Sequence, residues 1–156
     1  MREIKFRGLR TDGQGWVYGY YYQYNGQDII CYENHSDSAD TYHYEPVLPE
    51  SVGQFTGLKD INGTDIYEGD VMNGIQREQC DKEGENAYKV TERVVFNRGS
   101  FKVFGKHISD GHTRDNNCLY QFMWVETWGN IISSEKYFQI DEIEVIGNIH
   151  QNPELL

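Results

Sequence analysis

With 156 residues and a formal charge of −11, the chain is long enough to bury a core in one or two small domains. It is too acidic for a generic binder of phosphate backbones, which needs Lys and Arg to displace counterions. Three further features narrow the class: no apolar run approaches a membrane span, the opening MREIKFRGLR lacks the apolar centre of a signal peptide, and Cys31, Cys80 and Cys118 contain no C-x-x-C pair. Together these predict a cytoplasmic protein with reduced thiols rather than a disulfide framework.

In chain order the hydrophobic pattern is β almost throughout. Ile4 and Phe6 alternate with Glu3, Lys5 and Arg7, as in a half-buried strand, and the DGQG of Asp12 to Gly15 is a turn signal. WVYGYYYQY follows, with Trp16, Tyr18, Tyr20, Tyr22 and Tyr24 on one face because strand side chains alternate with period two. Asn25-Gly26 predicts a hairpin turn into a strand from Asp28 to Tyr32. Asn34 to Asp40 is a polar loop, and Thr41 to Glu45 a short strand that Pro46 ends.

The second half begins with a predicted two-residue hairpin turn at Asn62-Gly63 and a further turn at Glu68-Gly69-Asp70. Strands are expected from Val71 to Ile75, Tyr88 to Phe96 and Ser100 to Phe104, the last two joined by a tight turn at Asn97-Arg98-Gly99. Gln79 to Asn86 is a polar excursion, and Leu119 to Trp128 reads equally as strand or short helix. Ile143, Val145, Ile146 and Ile149 mark a closing strand, and Asn152-Pro153 an N-cap and first position of a terminal helical turn. Many short strands with Gly-rich turns point to a small barrel.

Charge divides the chain. Arg2, Lys5, Arg7 and Arg10 lie in the first ten residues; Thr11 to Leu58 holds no Lys or Arg but seven acids and eight of the twelve Tyr. The shift predicts a distinct Tyr-rich acidic β part over residues 1–52 and a second unit over 53–156.

Chemical motifs are few. Read as a calcium loop, DINGTDIYEGDVM (Asp60 to Met72) places its Gly two residues early and ends on Val71 where a bidentate Glu is required. Asp65, Glu68 and Asp70 are better read as solvated turn residues capping backbone N–H groups. Cys31, His35 and His43, or His107, His112 and Cys118, fall short of the four paired ligands of a structural zinc site. No nucleophile elbow and no phosphate loop is present. No metal, no cofactor and no catalytic residue is therefore expected.

REIKFR (Arg2 to Arg7), QFTGLKDINGTDIYEGDVM (Gln54 to Met72) and EVIGNIHQNPELL (Glu144 to Leu156) resemble the YopX family of phage and prophage proteins, with the central block the distinctive one. The resemblance implies an SH3-like small barrel with a short C-terminal tail over residues 53–156. It also implies a phage or prophage gene, and it carries no assigned activity or site residues.

The tyrosine strand is the feature above background. Large aromatics often form a core face, but Tyr and Trp are enriched at interfaces. Trp16, Tyr18, Tyr20, Tyr22 and Tyr24 are therefore the candidate binding residues of a non-enzymatic interaction module. Its partner is expected to be a host or phage protein or a second copy, with Arg2, Lys5, Arg7 and Arg10 offering a complementary patch. The alternative is a nucleic-acid-associated factor that uses the basic N-terminal strand beside the aromatic ladder.

Overall fold

The computed structural model describes residues 3–34, 41–78, 86–109, 112–114, 120–121, 131–132 and 138–155. Two compact units divide the chain, Met1–Gly57 and Leu58–Leu156. Whereas composition alone placed the change of unit at residue 52, the division lies inside a strand.

In the first unit, β1 (Phe6–Leu9), β2 (Trp16–Tyr24), β3 (Gln27–Asn34), β4 (Thr41–Pro46) and β5 (Gly53–Lys59) form an antiparallel sheet in the order β4-β3-β2-β1-β5, and the end of β5 continues to β6 (Asp65–Tyr67). Asn25 and Gly26, with φ of 50° and 76°, make the expected two-residue turn between β2 and β3; both positive angles match the twist of the paired strands. One face of the sheet is closed by Val17, Ile30 and Val47, with Phe6, Tyr32 and Val52 packed on them. This inner layer is thin. A Cβ on Gly8 would lie 2.9 Å from the Cβ of Val47, and one on Gly19 only 2.1 Å from the carbonyl oxygen of Cys31. No side chain fits at either glycine.

The second unit is built on β7 (Asp70–Glu78), β8 (Asn86–Asn97), β9 (Ser100–Ser109), β10 (His112–Arg114), β11 (Tyr120–Gln121), β12 (Ile131–Ile132) and β13 (Phe138–Asn148). Its sheet runs β10-β9-β8-β7-β13-β12, with β11 on β9. The Arg98-Gly99 turn joins β8 to β9 with both φ positive. Ile66, Met72, Val90, Val94, Phe101, Val103, Ile140 and Ile143 form the core, with Leu58 and Val145 against it. Leu119 and residues 122–128 lie outside the described residues, as do 35–40 and 79–85; Tyr120–Gln121 is strand.

Several expectations change at this point. Among the described residues the sheets are open and neither closes into a barrel. The closing strand is irregular: β13 shifts register between Asp141 and Glu144 and again between Val145 and Gly147, with Glu142 at φ 56°. Ile143 is buried, whereas Ile149 lies past the strand end and is only half-buried. The expected terminal helical turn is present as a single 3-10 turn, Pro153–Leu155.

The Asn62-Gly63 hairpin also differs from a two-residue turn. Gly63 has φ 83°, but Asn62 is not among the positive-φ residues. Gly63 N–H donates to the Asp60 carbonyl at 3.0 Å and Asp60 N–H to the Thr64 carbonyl at 2.8 Å, the pattern of a three-residue loop with a left-handed Gly. The cause is Asp60. Its buried carboxylate accepts the N–H of Asn62 and of Thr64, each at 2.8 Å, and that of Val145 at 3.1 Å, so a side chain overrides the turn's local preference. Asp70 is equally buried and accepts Tyr67 N–H at 2.7 Å. Asp65 pairs with Lys59, and Glu68 accepts Phe96 N–H at 3.2 Å. These acids hold loops, as expected, but Asp70 is enclosed rather than solvated.

Candidate functional site: the tyrosine face

Strand pairing assembles the face. Tyr20 lies opposite Cys31, Tyr22 opposite Ile29 and Tyr24 opposite Gln27; on the far side of β3, Cys31 lies opposite Tyr44 and Glu33 opposite Tyr42. Directly paired residues of an antiparallel sheet point to the same side, so β4 adds a second tyrosine row to that of β2. Tyr18, Tyr20, Tyr22, Tyr24, Tyr42 and Tyr44 are all exposed, from 37% at Tyr22 to 68% at Tyr20. Six exposed tyrosines share one sheet face.

Why this side is open follows from the inner layer. With Gly8 and Gly19 admitting no side chain and Val17, Ile30 and Val47 packed with Phe6 and Tyr32 on the inner side, Tyr18, Tyr20, Tyr22 and Tyr24 of β2 stand on the open one. Tyr21, on the inner side, donates its hydroxyl to Asp28 and packs on Phe6 at 5.5 Å between centroids. That hydrogen bond first, then burial, raises the Tyr21 phenol above its ordinary pKa.

On the open side the rows touch at one place. Tyr22 and Tyr44 meet edge to face, 6.5 Å between centroids, in the geometry the ring quadrupoles favour. Ile29, beneath them in register, is 8% exposed. Partial desolvation first, then Tyr44, Cys31 and Tyr24, raises the Tyr22 phenol. At Cys31 the floor is half-buried, and Tyr20 and Tyr44 stand either side of it.

Trp16 differs from the other four candidates. The Arg7 guanidinium lies 4.5 Å from its ring centroid, and Arg7 itself is 6% exposed; the pair forms a half-buried end to the face. The rest of the N-terminal basic patch is also engaged within the unit. Arg10 bridges Asp12 at 2.7 Å and Glu45 at 3.0 Å, and Lys5 sits 4.5 Å over the Phe55 ring. Arg2 lies outside the described residues.

Sequence reasoning missed Tyr42, Tyr44 and Glu33. The signal was present in the alternation of Tyr42-His43-Tyr44, but only the β3–β4 register assigns those tyrosines to the side of Tyr20. The same register separates Cys31 from His43, which pairs with Tyr32 on the opposite side and stacks on it at 5.3 Å. Those two cannot share a metal ion. His35, Cys80 and Cys118 lie outside the described residues, as do the side chains of His107 and His112. Among the described residues no three His, Cys, Asp or Glu side chains converge to hold an ion, and no helix is long and apolar enough to cross a membrane.

Comparison with known proteins gives a family and a distant structural likeness. No curated protein matches the chain. Among solved structures, the crystal structure of protein EF1440 from Enterococcus faecalis is similar at 21% identity and a TM-score of 0.49, over 100% of this chain and 99% of that one. The family described as YopX protein matches residues 5–156, and with that span the chain belongs to the YopX family.

Proposed function

We propose that the chain is a non-enzymatic interaction module whose tyrosine face docks a protein partner. The observation that carries this reading is the exposure of six tyrosines on one side of a single sheet. Tyr contributes large, rigid contact area with a hydroxyl that finds a hydrogen bond, and such residues anchor interfaces. Exposed apolar area of this kind on one face marks contact sites more often than it marks a free surface. An accessory role in a phage or prophage, in the cytoplasm of a bacterial host, belongs to the same proposal and rests on the family resemblance. So does the SH3-like relationship expected for residues 53–156.

The arrangement of cations selects among partners. Single-stranded nucleic acid requires a basic groove beside the stacking rings, and Lys5, Arg7 and Arg10 are each held by a ring or a carboxylate within the unit. The engagement of Lys5, Arg7 and Arg10 also favours a partner other than a second copy. A foreign protein with its own cations suits the face best.

The test is site-specific photocrosslinking in host cells, with the reactive amino acid placed at Tyr20, at Tyr44 or at the exposed control position Gln14. Protein adducts from the first two positions only, weakened by Tyr22→Ala, are expected. Equal adducts from Gln14, or adducts to nucleic acid alone, would overturn the reading.

A further inference from the structure

We propose that the cavity beside Glu92 in the second unit binds a primary alkylammonium, the charged end of a lysine side chain or of a free aliphatic amine. The site stands apart from the tyrosine face and does not depend on it.

Strand pairing makes the cavity. Glu92 lies opposite Met72, and Val90 opposite Gly74, so the four share the inner side of the sheet. On the other flank of β7, pairing with β13 passes from Ile75–Asp141 to Asn73–Glu144. Glu142 and Ile143 therefore both oppose Gly74, which is a β-bulge. A residue without a side chain, set against a bulge, leaves a gap of about 10 Å3 among Glu92, Met72, Val90, Ile140 and Ile143. That is the room of one water molecule, and an ammonium group is of the same size.

The walls select the ligand. Met72, Val90, Ile140 and Ile143 are apolar and buried, and Glu92 is enclosed with them. Among the described residues Glu92 meets no hydrogen-bond donor and no cation. Asn73, at the rim, already accepts from the Thr91 hydroxyl at 2.8 Å. Buried carboxylates are as a rule paired or hydrogen-bonded, so a lone one calls for a partner. Calcium or magnesium surrounds itself with six or more oxygens, for which a gap of one water has no room. A guanidinium spreads its nitrogens over a rigid plane and is also too large. An alkylammonium fits on both counts, with its charge on Glu92 and its methylene stem along the apolar walls.

The experiment follows the resonances of the isotopically labelled full chain at about pH 8, above the Glu92 pKa of about 7. Sodium chloride at about 150 mM screens long-range attraction and offers a simple ion in competition. The probes are n-butylammonium and acetyl-lysine-amide; n-butanol, its neutral analogue, and acetyl-arginine-amide are the comparators. The amines are expected to shift the methyl groups of Met72, Val90 and Ile143 and the carboxyl of Glu92, and to bind at least tenfold more tightly than either comparator. Glu92→Gln keeps the size and loses the charge, and should weaken them at least tenfold. Glu50→Gln, which removes an exposed acid of the first unit, should leave them within twofold. Shifts with butylammonium alone assign the site to free amines, and shifts with the lysine derivative assign it to protein side chains. No shifts at these residues with either amine overturns the inference. So does amine binding that Glu92→Gln leaves unchanged, or butanol that binds as tightly.

Discussion

Strands β2 and β8 alternate in the same way and end with opposite chemistry. β2 turns Val17 and Gly19 inward and leaves Tyr18, Tyr20, Tyr22 and Tyr24 in solvent. β8 turns Val90 and Val94 inward and carries Glu92 between them, 6% exposed. One strand exposes its rings and the other buries a carboxylate. Alternation divides a strand into two sides, but the space behind the strand decides which side is inside. At Gly19 of β2 the close approach of the Cys31 carbonyl leaves no room for a side chain. Glu92 instead lines a small cavity with Met72, Asn73, Gly74, Val90, Ile140 and Ile143, where burial alone raises its pKa to about 7.

The buried acids of the second unit give the largest expected effects, and those effects have opposite signs. Asp60 is held by three backbone N–H groups. Asp60→Ala leaves those donors without their acceptor and should destabilise by about 4 kcal/mol in urea denaturation. A loss under 1 kcal/mol would show that water replaces the carboxylate and that the loop does not depend on it.

Glu92 should behave in reverse. Its folded pKa of about 7 stands above the ordinary 4.5, so the native state keeps a proton that the unfolded chain has released. Stability therefore falls as pH rises through 4.5 and levels off above about 7, for a total of about 3 kcal/mol. Below 4.5 both states hold the proton, the penalty is absent and the stability is full. Glu92→Gln should flatten this profile and be more stable than the parent at pH 8. Thermal melts of both proteins from pH 4 to pH 8 check it, and parallel profiles would mean that Glu92 is solvated.

Smaller effects sharpen the comparison. Gly63 has open space around it, so Gly63→Val measures backbone strain at φ 83° alone, about 1 kcal/mol or somewhat more in the same denaturation assay. Tyr20→Ala should change stability by less than about 0.5 kcal/mol, as substitutions at exposed positions do. Measured against that silence, a loss of partner affinity of 1 kcal/mol or more is expected by titration calorimetry. A large loss of stability instead would place Tyr20 in the fold and not at an interface.

These cases also show how far the sequence is legible. Asn25-Gly26 forms the tight turn its residues favour, and Arg98-Gly99 takes the same form with Arg98 at φ 51°. Asn62-Gly63 has the same signature, and the difference comes from Asp60, whose partner Val145 is far away in sequence. The outward tyrosine row of β2 is visible in its alternation, but joining Tyr42 and Tyr44 to it needs the β3–β4 register, which no local pattern carries. Glu92 was hidden for the opposite reason: a charge inside a Val-rich alternation reads as the wet side. The open sheets in place of a barrel belong to the same class, since closure depends on which edges meet.

The reach of Asp60 has a consequence for how the chain is made. Its carboxylate accepts from Val145, and the neighbouring Ile61 N–H donates to the Ile143 carbonyl at 2.9 Å. A ribosome delivers the hairpin long before it delivers the strand that completes it. Until then the carboxylate and the apolar residues around it remain wet, and contacts this distant in sequence form late. During synthesis the second unit is thus a substrate for chaperones and proteases, and it becomes resistant only when β13 has emerged.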